Sequence, residues 1–331
     1  MKKFIGTIVL MFAITTAALV ARQGGGAPFT PPKGLPEWAY GTAPSPAPAP
    51  PAPDESLKTL PGSTLKFTLA QIRDGFGPAD WYPGDHPTMP EVVAKGKRPD
   101  VRACSLCHYP NGKGRAENAG VTGFNPAYFM QQMHDFRADL RKSADPRKAN
   151  TNAMISIAKG MTEEEIKQTA EYFGAMKWTP WIRVVETNTV PKTRIAGGLY
   201  LRLEGEQTEP IGMRIIEVPE KTEDTELLRN PHSGFIAYAP VGSLKKGEAL
   251  VKTGGAGKTT ACAVCHGADL KGLGPVPGIA GRSPSYIARQ LYDIQQGTRK
   301  GLWVDLMKPA VAKLTEEDLV SIAAYTASVA P

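Results

Sequence analysis

Cys262-Ala263-Val264-Cys265-His266 has a twin 158 positions earlier, Cys104-Ser105-Leu106-Cys107-His108. Two thiols three residues apart, followed at once by an imidazole, fall on one helical turn and face the same way. Cys-x-x-Cys-His is the attachment signature of c-type haem. The thiols add to the vinyl groups of the porphyrin, and the histidine reaches the iron from one side. The competing uses of these cysteines fit less well. A zinc site built from paired Cys-x-x-Cys wants about 15–20 residues between pairs, whereas Cys107 and Cys262 lie 155 positions apart. Disulfides would leave the histidine after each pair without a purpose. Thioredoxin-like chemistry would need a surrounding βαβ pattern, which the sequence lacks.

The repeat extends well beyond the pentapeptides. A shift of 158 carries Gly123, Pro126, Tyr128, Gln132 and Asp135 onto Gly281, Pro284, Tyr286, Gln290 and Asp293, with no gap from Cys104 to Leu140. After a five-residue deletion the shift becomes 153, and Met154, Thr162, Glu163, Ala170 and Tyr172 land on Met307, Thr315, Glu316, Ala323 and Tyr325. Self-similarity of this length describes architecture. It predicts a mainly α protein with two tandem haem-bearing domains.

Each copy predicts the same helices. Pro126 opens one that runs to Leu140, with Tyr128, Phe129, Gln132, Met133 and Phe136 as its stripe. Thr162 with Glu165 forms an N-capping pattern for a helix to about Ala175, and Thr315 with Asp318 starts the counterpart to about Val329. Met130, Met133 and His134 sit on the first of these helices. The second copy has Ala288, Leu291 and Tyr292 there, so packing roles are expected for them. His86, between Asp85 and Pro87, and His232, after Pro231, read as turn and loop residues.

The remaining segments set the organisation. Lys2 and Lys3 precede an uncharged run from Phe4 to Ala21, the pattern of an export signal over residues 1–21. If retained, the same run would tether the chain to a membrane. Residues 22–55 are rich in Gly, Pro and Ala, and the run Pro44 to Pro53 favours extended polyproline geometry. That stretch is expected to be a mobile linker that adds nothing to the packed core. Residues 56–176 form the first haem domain, with short helices expected near Phe67–Phe76 and Pro90–Lys97. Residues 177–244 read as a short-stranded insert, with segments Trp181–Val185, Leu199–Leu203 and Met213–Val218. Residues 245–331 form the second haem domain. The formal charge is +7, with a pI of about 9.1, and four haem propionates would bring it nearer neutral. No basic run with interleaved aromatics points to nucleic acid.

Iron needs a ligand on its second side. Methionine sulfur favours the ferrous state and raises the potential. Met154 and Met307 are the aligned pair, which makes them the expected partners of His108 and His266. Met161 aligns with Leu314 and is the weaker choice.

On these residues the two copies resemble class I cytochrome c domains, and their tandem arrangement resembles the dihaem cytochromes c of bacteria. The attachment motif, Pro277-Gly278-Ile279-Ala280-Gly281, the helix from Ser285 and Met307 before the last helix follow that family's order. The likeness covers roughly 90–176 and 246–329. It implies an all-α fold around each haem and periplasmic electron transfer between a redox donor and acceptor. It also implies that a carbonyl at Pro277 holds the ligand histidine's other nitrogen. The first copy has Ala119 at that position, a departure from the pattern. A dihaem enzyme of peroxidase type, or an electron-transfer subunit of a larger dehydrogenase or oxidase, are the other classes. A carrier is favoured over the enzyme because no histidine beyond the motif recurs between the copies, and the subunit reading stands beside the free carrier.

Overall fold

The helices begin where side chains satisfy their first backbone N–H groups. Asn125 accepts from Ala127 N ahead of the helix Pro126–Arg137, and Ser283 accepts from Tyr286 N ahead of Pro284–Gln295. Thr162 and Glu165 form a reciprocal capping box for Glu163–Gly174, and Thr315 and Asp318 do so for Glu316–Ser328. The first pair of helices superposes by number under the shift of 158. Under the shift of 153 the second pair differs by one residue at its C-terminal end. The computed structural model describes residues 30–32, 34–42 and 54–331. The export signal and the run Pro44 to Pro53 lie outside the described residues.

Around the first attachment helix, Cys104–His108, the core joins Phe124, Tyr128, Phe129, Met133 and Phe136 to Ile166, Ala170 and Phe173. These come from the apolar stripes of the two long helices, whose spacing places them on one face. The second attachment turn, Ala263–His266, packs against the short strands Gly272–Leu273 and Val276–Pro277, while Pro284–Gln295 and the helix Ser243–Thr253 both pack on Glu316–Ser328. The insert supplies a three-stranded sheet. Ile182–Glu186 pairs in parallel with Phe235–Ala239, which pairs antiparallel with Ile216–Pro219. A separate hairpin joins Thr193–Ala196 to Leu199–Arg202. Glu217, buried in the sheet, accepts a 2.7 Å hydrogen bond from the Ser283 hydroxyl, which ties the insert to the start of Pro284–Gln295. Among the described residues no helix is long and apolar enough to cross a membrane.

Two expectations need correction. Within 22–55, the stretch Leu35 to Gly41 is packed rather than mobile. Leu35, Trp38, Ala39 and Tyr40 are buried, and Glu37–Tyr40 form a single helical turn. Tyr40 is fully buried and its hydroxyl donates to Asp293 Oδ1 at 2.6 Å. Lys148 Nζ donates to Tyr40 O at 2.8 Å, and the Arg289 guanidinium to Ala39 O. The turn closes on Gly41, at φ 55°, where a Cβ would stand 2.5 Å from Gly198 O. Only glycine fits there.

Met154 and Met307 both precede the last helix of their copy, but Met154 lies inside a helix, Ala149–Gly160, whereas Met307 follows the 3-10 turn Val304–Leu306. The five extra residues of the first copy give room for that longer helix. Second, some expected helices are shorter. Pro126 opens a helix that ends at Arg137, and the early ones are single turns, Leu69–Ile72 and Glu91–Ala94.

Tyr40→Ala should lower stability by about 3–5 kcal/mol, the cost of an emptied aromatic site. Tyr40→Phe should cost about 1–3 kcal/mol through the lost donor to Asp293. Chemical denaturation measures both. A Tyr40→Ala protein as stable as wild type would return the segment to the role of a loose linker.

Candidate functional site

Each attachment turn is held from behind by backbone hydrogen bonds. Cys262 N donates to Val251 O at 2.8 Å, and His266 N to Cys262 O at 2.9 Å. In the first copy the Ser105 hydroxyl donates to Val93 O at 2.8 Å, and Asn118 Nδ2 to Cys107 O at 3.1 Å. None of the four cysteines is in a disulfide. Burial pushes the Cys104 thiol up to about 12 and Cys262 up to about 11. These are neutral thiols in apolar surroundings, not activated thiolates.

The histidines carry the clearest geometry. His266 Nδ1 donates to Pro277 O at 2.7 Å, and His108 Nδ1 donates to Ala119 O at 2.8 Å. Pro277 is presented by the two-residue ladder of Gly272–Leu273 with Val276–Pro277. The contact uses a main-chain oxygen, so alanine supplies it as well as proline. Donation from Nδ1 leaves the Nε2 lone pair to a metal. Burial holds both imidazoles below the ordinary value, which keeps that lone pair unprotonated.

The other expected residues line the same clefts. Cys262, Cys265, His266, Pro277 and Met307 face one cleft walled by Ile287, Leu291, Ile294 and Ile322. In the first copy two adjoining cavities share His108 and Met154. Cys104, Cys107 and Met161 line the deeper one. Met154 lines both cavities and Met161 one. Met133 lines both as part of the core cluster. His134 is at the surface, 2.8 Å from Glu163. His86 lies outside both clefts, with its ring nitrogens on Asp80 and Pro87 O. Its side chain is only 5% exposed, so it is an anchored residue rather than an open surface turn. His232 stacks on Tyr82 and bonds Asp85.

Sequence reasoning missed the wall between the clefts. The gapless shift runs past Leu140 and carries Arg141-Lys142 onto Arg299-Lys300. Arg141 donates to Gln132 Oε1 at 2.9 Å in its own copy. It also donates to Gln290 Oε1 at 2.9 Å and the Tyr286 hydroxyl at 3.0 Å in the other. Arg299 mirrors this, donating to Gln290 Oε1 at 2.9 Å, Gln132 Oε1 at 2.9 Å and the Tyr128 hydroxyl at 3.2 Å. Lys142 N to Thr298 O at 3.0 Å and Lys300 N to Leu140 O at 2.6 Å close a short antiparallel bridge beneath. Tyr128, Gln132, Tyr286 and Gln290 line both clefts, which therefore share one wall.

Two observations test whether a haem suits each cleft. The donor set is complete in both: two thiols, an imidazole with Nε2 available, and a thioether. The charge balance also points to bound carboxylates. Arg141, Lys148, Arg282, Arg289 and Arg299 are all buried. Their hydrogen bonds run to carbonyls, side-chain amides and hydroxyls, not to carboxylates. Arg299 Nε has no partner. Buried cations without counter-charge are costly, and each haem brings two propionates. The residues fit. Together they define a c-type cytochrome with two haem groups.

No protein-family model matches the chain. Curated relatives do. The thiosulfate dehydrogenase electron acceptor of Stutzerimonas stutzeri is 36% identical over 238 residues, 71% of this chain and 82% of that protein. Cytochrome c4 of Azotobacter vinelandii is 33% identical over 247 residues, 72% of this chain and 89% of that protein. Cytochrome c-554(548) of Halomonas halodenitrificans is 39% identical over 75 residues, 22% of this chain and 90% of that protein. The chain belongs to the class I dihaem cytochromes c, the family of cytochrome c4. It is a dihaem electron-transfer cytochrome with two haem c groups.

Protein matured with its haem-attachment machinery should retain two haems per chain after acid–organic extraction. Cys262→Ala with Cys265→Ala should retain one, and so should the Cys104, Cys107 pair. Bound zinc, or a single covalent haem in wild type, would contradict this assignment.

Proposed function

We propose that this protein carries single electrons between a redox donor and acceptor outside the cytoplasm. The observation that carries the reading is the duplicated set of thiols, carbonyl-held imidazole and thioether in two clefts with a common wall. Cys104 and Cys107 would hold the first haem and Cys262 and Cys265 the second, by thioether bonds. His108 with Met154 would hold the first iron, and His266 with Met307 the second. The haem iron supplies the one-electron chemistry.

The chain does the rest. The Ala119 and Pro277 carbonyls fix the tautomer and orientation of the two histidines. Aliphatic side chains exclude water from the clefts, and the methionine sulfurs favour ferrous iron. The Arg141–Arg299 wall fixes the spacing of the two centres. In this reading residues 56–176 and 245–331 are tandem cytochrome c domains, with 177–244 as the insert that braces them. Residues 1–21 direct export to the periplasm. The relative named as an electron acceptor for thiosulfate dehydrogenase supports a redox enzyme as donor, because the two chains share most of their length.

An enzyme is the weaker reading. Peroxidase chemistry calls for an acid–base group beside an open iron position. The second cleft is lined by no carboxylate and by no histidine except His266. Glu117 and Asp293, at the first, are engaged by Arg115 and Tyr40.

Met307→Ala should lower one midpoint potential, remove half of the weak sulfur-to-iron absorption of the oxidised protein, and open one haem to cyanide or carbon monoxide. Met154→Ala should do the same at the other haem, and Met161→Ala should change little. Ready binding of these ligands by wild type, or a methionine variant with an unchanged spectrum, would favour an enzyme.

A further inference from the structure

The two clefts are not equivalent, and the difference centres on one buried cation. Lys148 lies in the stretch where the shift changes, and it lands on Leu306 under the shift of 158 and on Gly301 under the shift of 153, so the second copy has no lysine in its place. It stands at the start of the helix Ala149–Gly160, which carries Met154, and it lines the first cleft together with Asn150 and Met154. The residue is 4% exposed. Its ammonium has three donors, and its one hydrogen bond is to Tyr40 O. No carboxylate pairs with it. Of the nearest acids, Glu117 is taken by Arg115, Asp145 by Arg147, and Asp293 by Tyr40 and Ala144 N. Its neighbour Arg289 is a second buried cation, and burial pushes Lys148 down to about 7. Glu117, Asp145 and Asp293 lie near enough to offset part of the cost of burying the ammonium, and an anion supplied from the cleft would offset more.

We propose that Lys148 holds a carboxylate of the first haem and raises that haem's potential. This rests on the two-haem reading above. A cation fixed beside one centre favours its reduced state through a low-dielectric path. The second cleft has buried cations of its own, Arg282 and Arg299, so the effect of Lys148 is a shift of the first haem's midpoint and not of the second's. Lys148 is a positioning residue, acting through the haem carboxylate and not on the iron.

The test is spectroelectrochemical titration of Lys148→Gln and Lys148→Arg, with covalent haem counted first. Each midpoint is assigned to a haem through the Cys104→Ala, Cys107→Ala protein, which lacks the first. Two haems in both variants confirm that the underlying reading holds, and one haem in wild type would fail that reading instead. In Lys148→Gln the first midpoint should fall by about tenfold in the electron-sharing equilibrium, about 59 mV for one electron. The second should stay in place, and Lys148→Arg should restore the first. A merely structural lysine that pins Tyr40 would lower stability without moving one midpoint. An unchanged first midpoint overturns the proposal. So does an equal fall at both haems, or an arginine variant that behaves like glutamine.

Discussion

Two like charges buried side by side form the constraint on which the rest of this structure depends. Arg141 and Arg299 cross between the copies and share the same two glutamine oxygens, Gln132 Oε1 and Gln290 Oε1. Neither guanidinium can move without breaking bonds in both copies. Since Tyr128, Gln132, Tyr286 and Gln290 also line the clefts, the distance between them is fixed by this wall and not by a flexible linker. Close, rigid spacing is what passing an electron from one centre to another needs. It also explains why helices Pro126–Arg137 and Pro284–Gln295 keep the same length and register under the shift of 158.

Buried charge extends outward from the wall. Arg289 and Lys148 fasten the segment Leu35 to Gly41 by its carbonyls, and Tyr40 returns a hydroxyl to Asp293. The sheet of the insert adds Glu217 against Ser283 and Ser285. Burial raises the Glu217 carboxyl above its usual range, toward the neutral form. The interior between the clefts is thus rich in cations, a setting suited to cofactors that bring carboxylates of their own.

Much of this was legible in the sequence because it repeats. The attachment turns, the proline-led helices and the Thr–Glu and Thr–Asp caps are local features, and local features survive in a single sequence. What escaped was long-range or main-chain. Ala119 looked like a departure from Pro277, yet the contact uses the carbonyl, which every residue has. Leu35 to Gly41 looked like linker, since its burial comes from Asp293 and Arg289 about 250 positions away, and local composition carries no trace of that. Arg141 and Arg299 were visible in principle. The gapless shift includes them, but a matched pair of arginines reads as surface charge until the partners are known. Alignment singled out Met154 as a candidate ligand, but carried no sign of the helix Ala149–Gly160 around it.

The account turns on each cleft holding an iron between its own histidine and methionine. Anomalous diffraction at the iron edge from crystals of the mature protein measures this most directly. Two iron peaks are predicted, one between His108 Nε2 and Met154 Sδ, the other between His266 Nε2 and Met307 Sδ, on either side of the Arg141–Arg299 wall. A single peak, or an iron bound by any other side chain opposite either histidine, would contradict it.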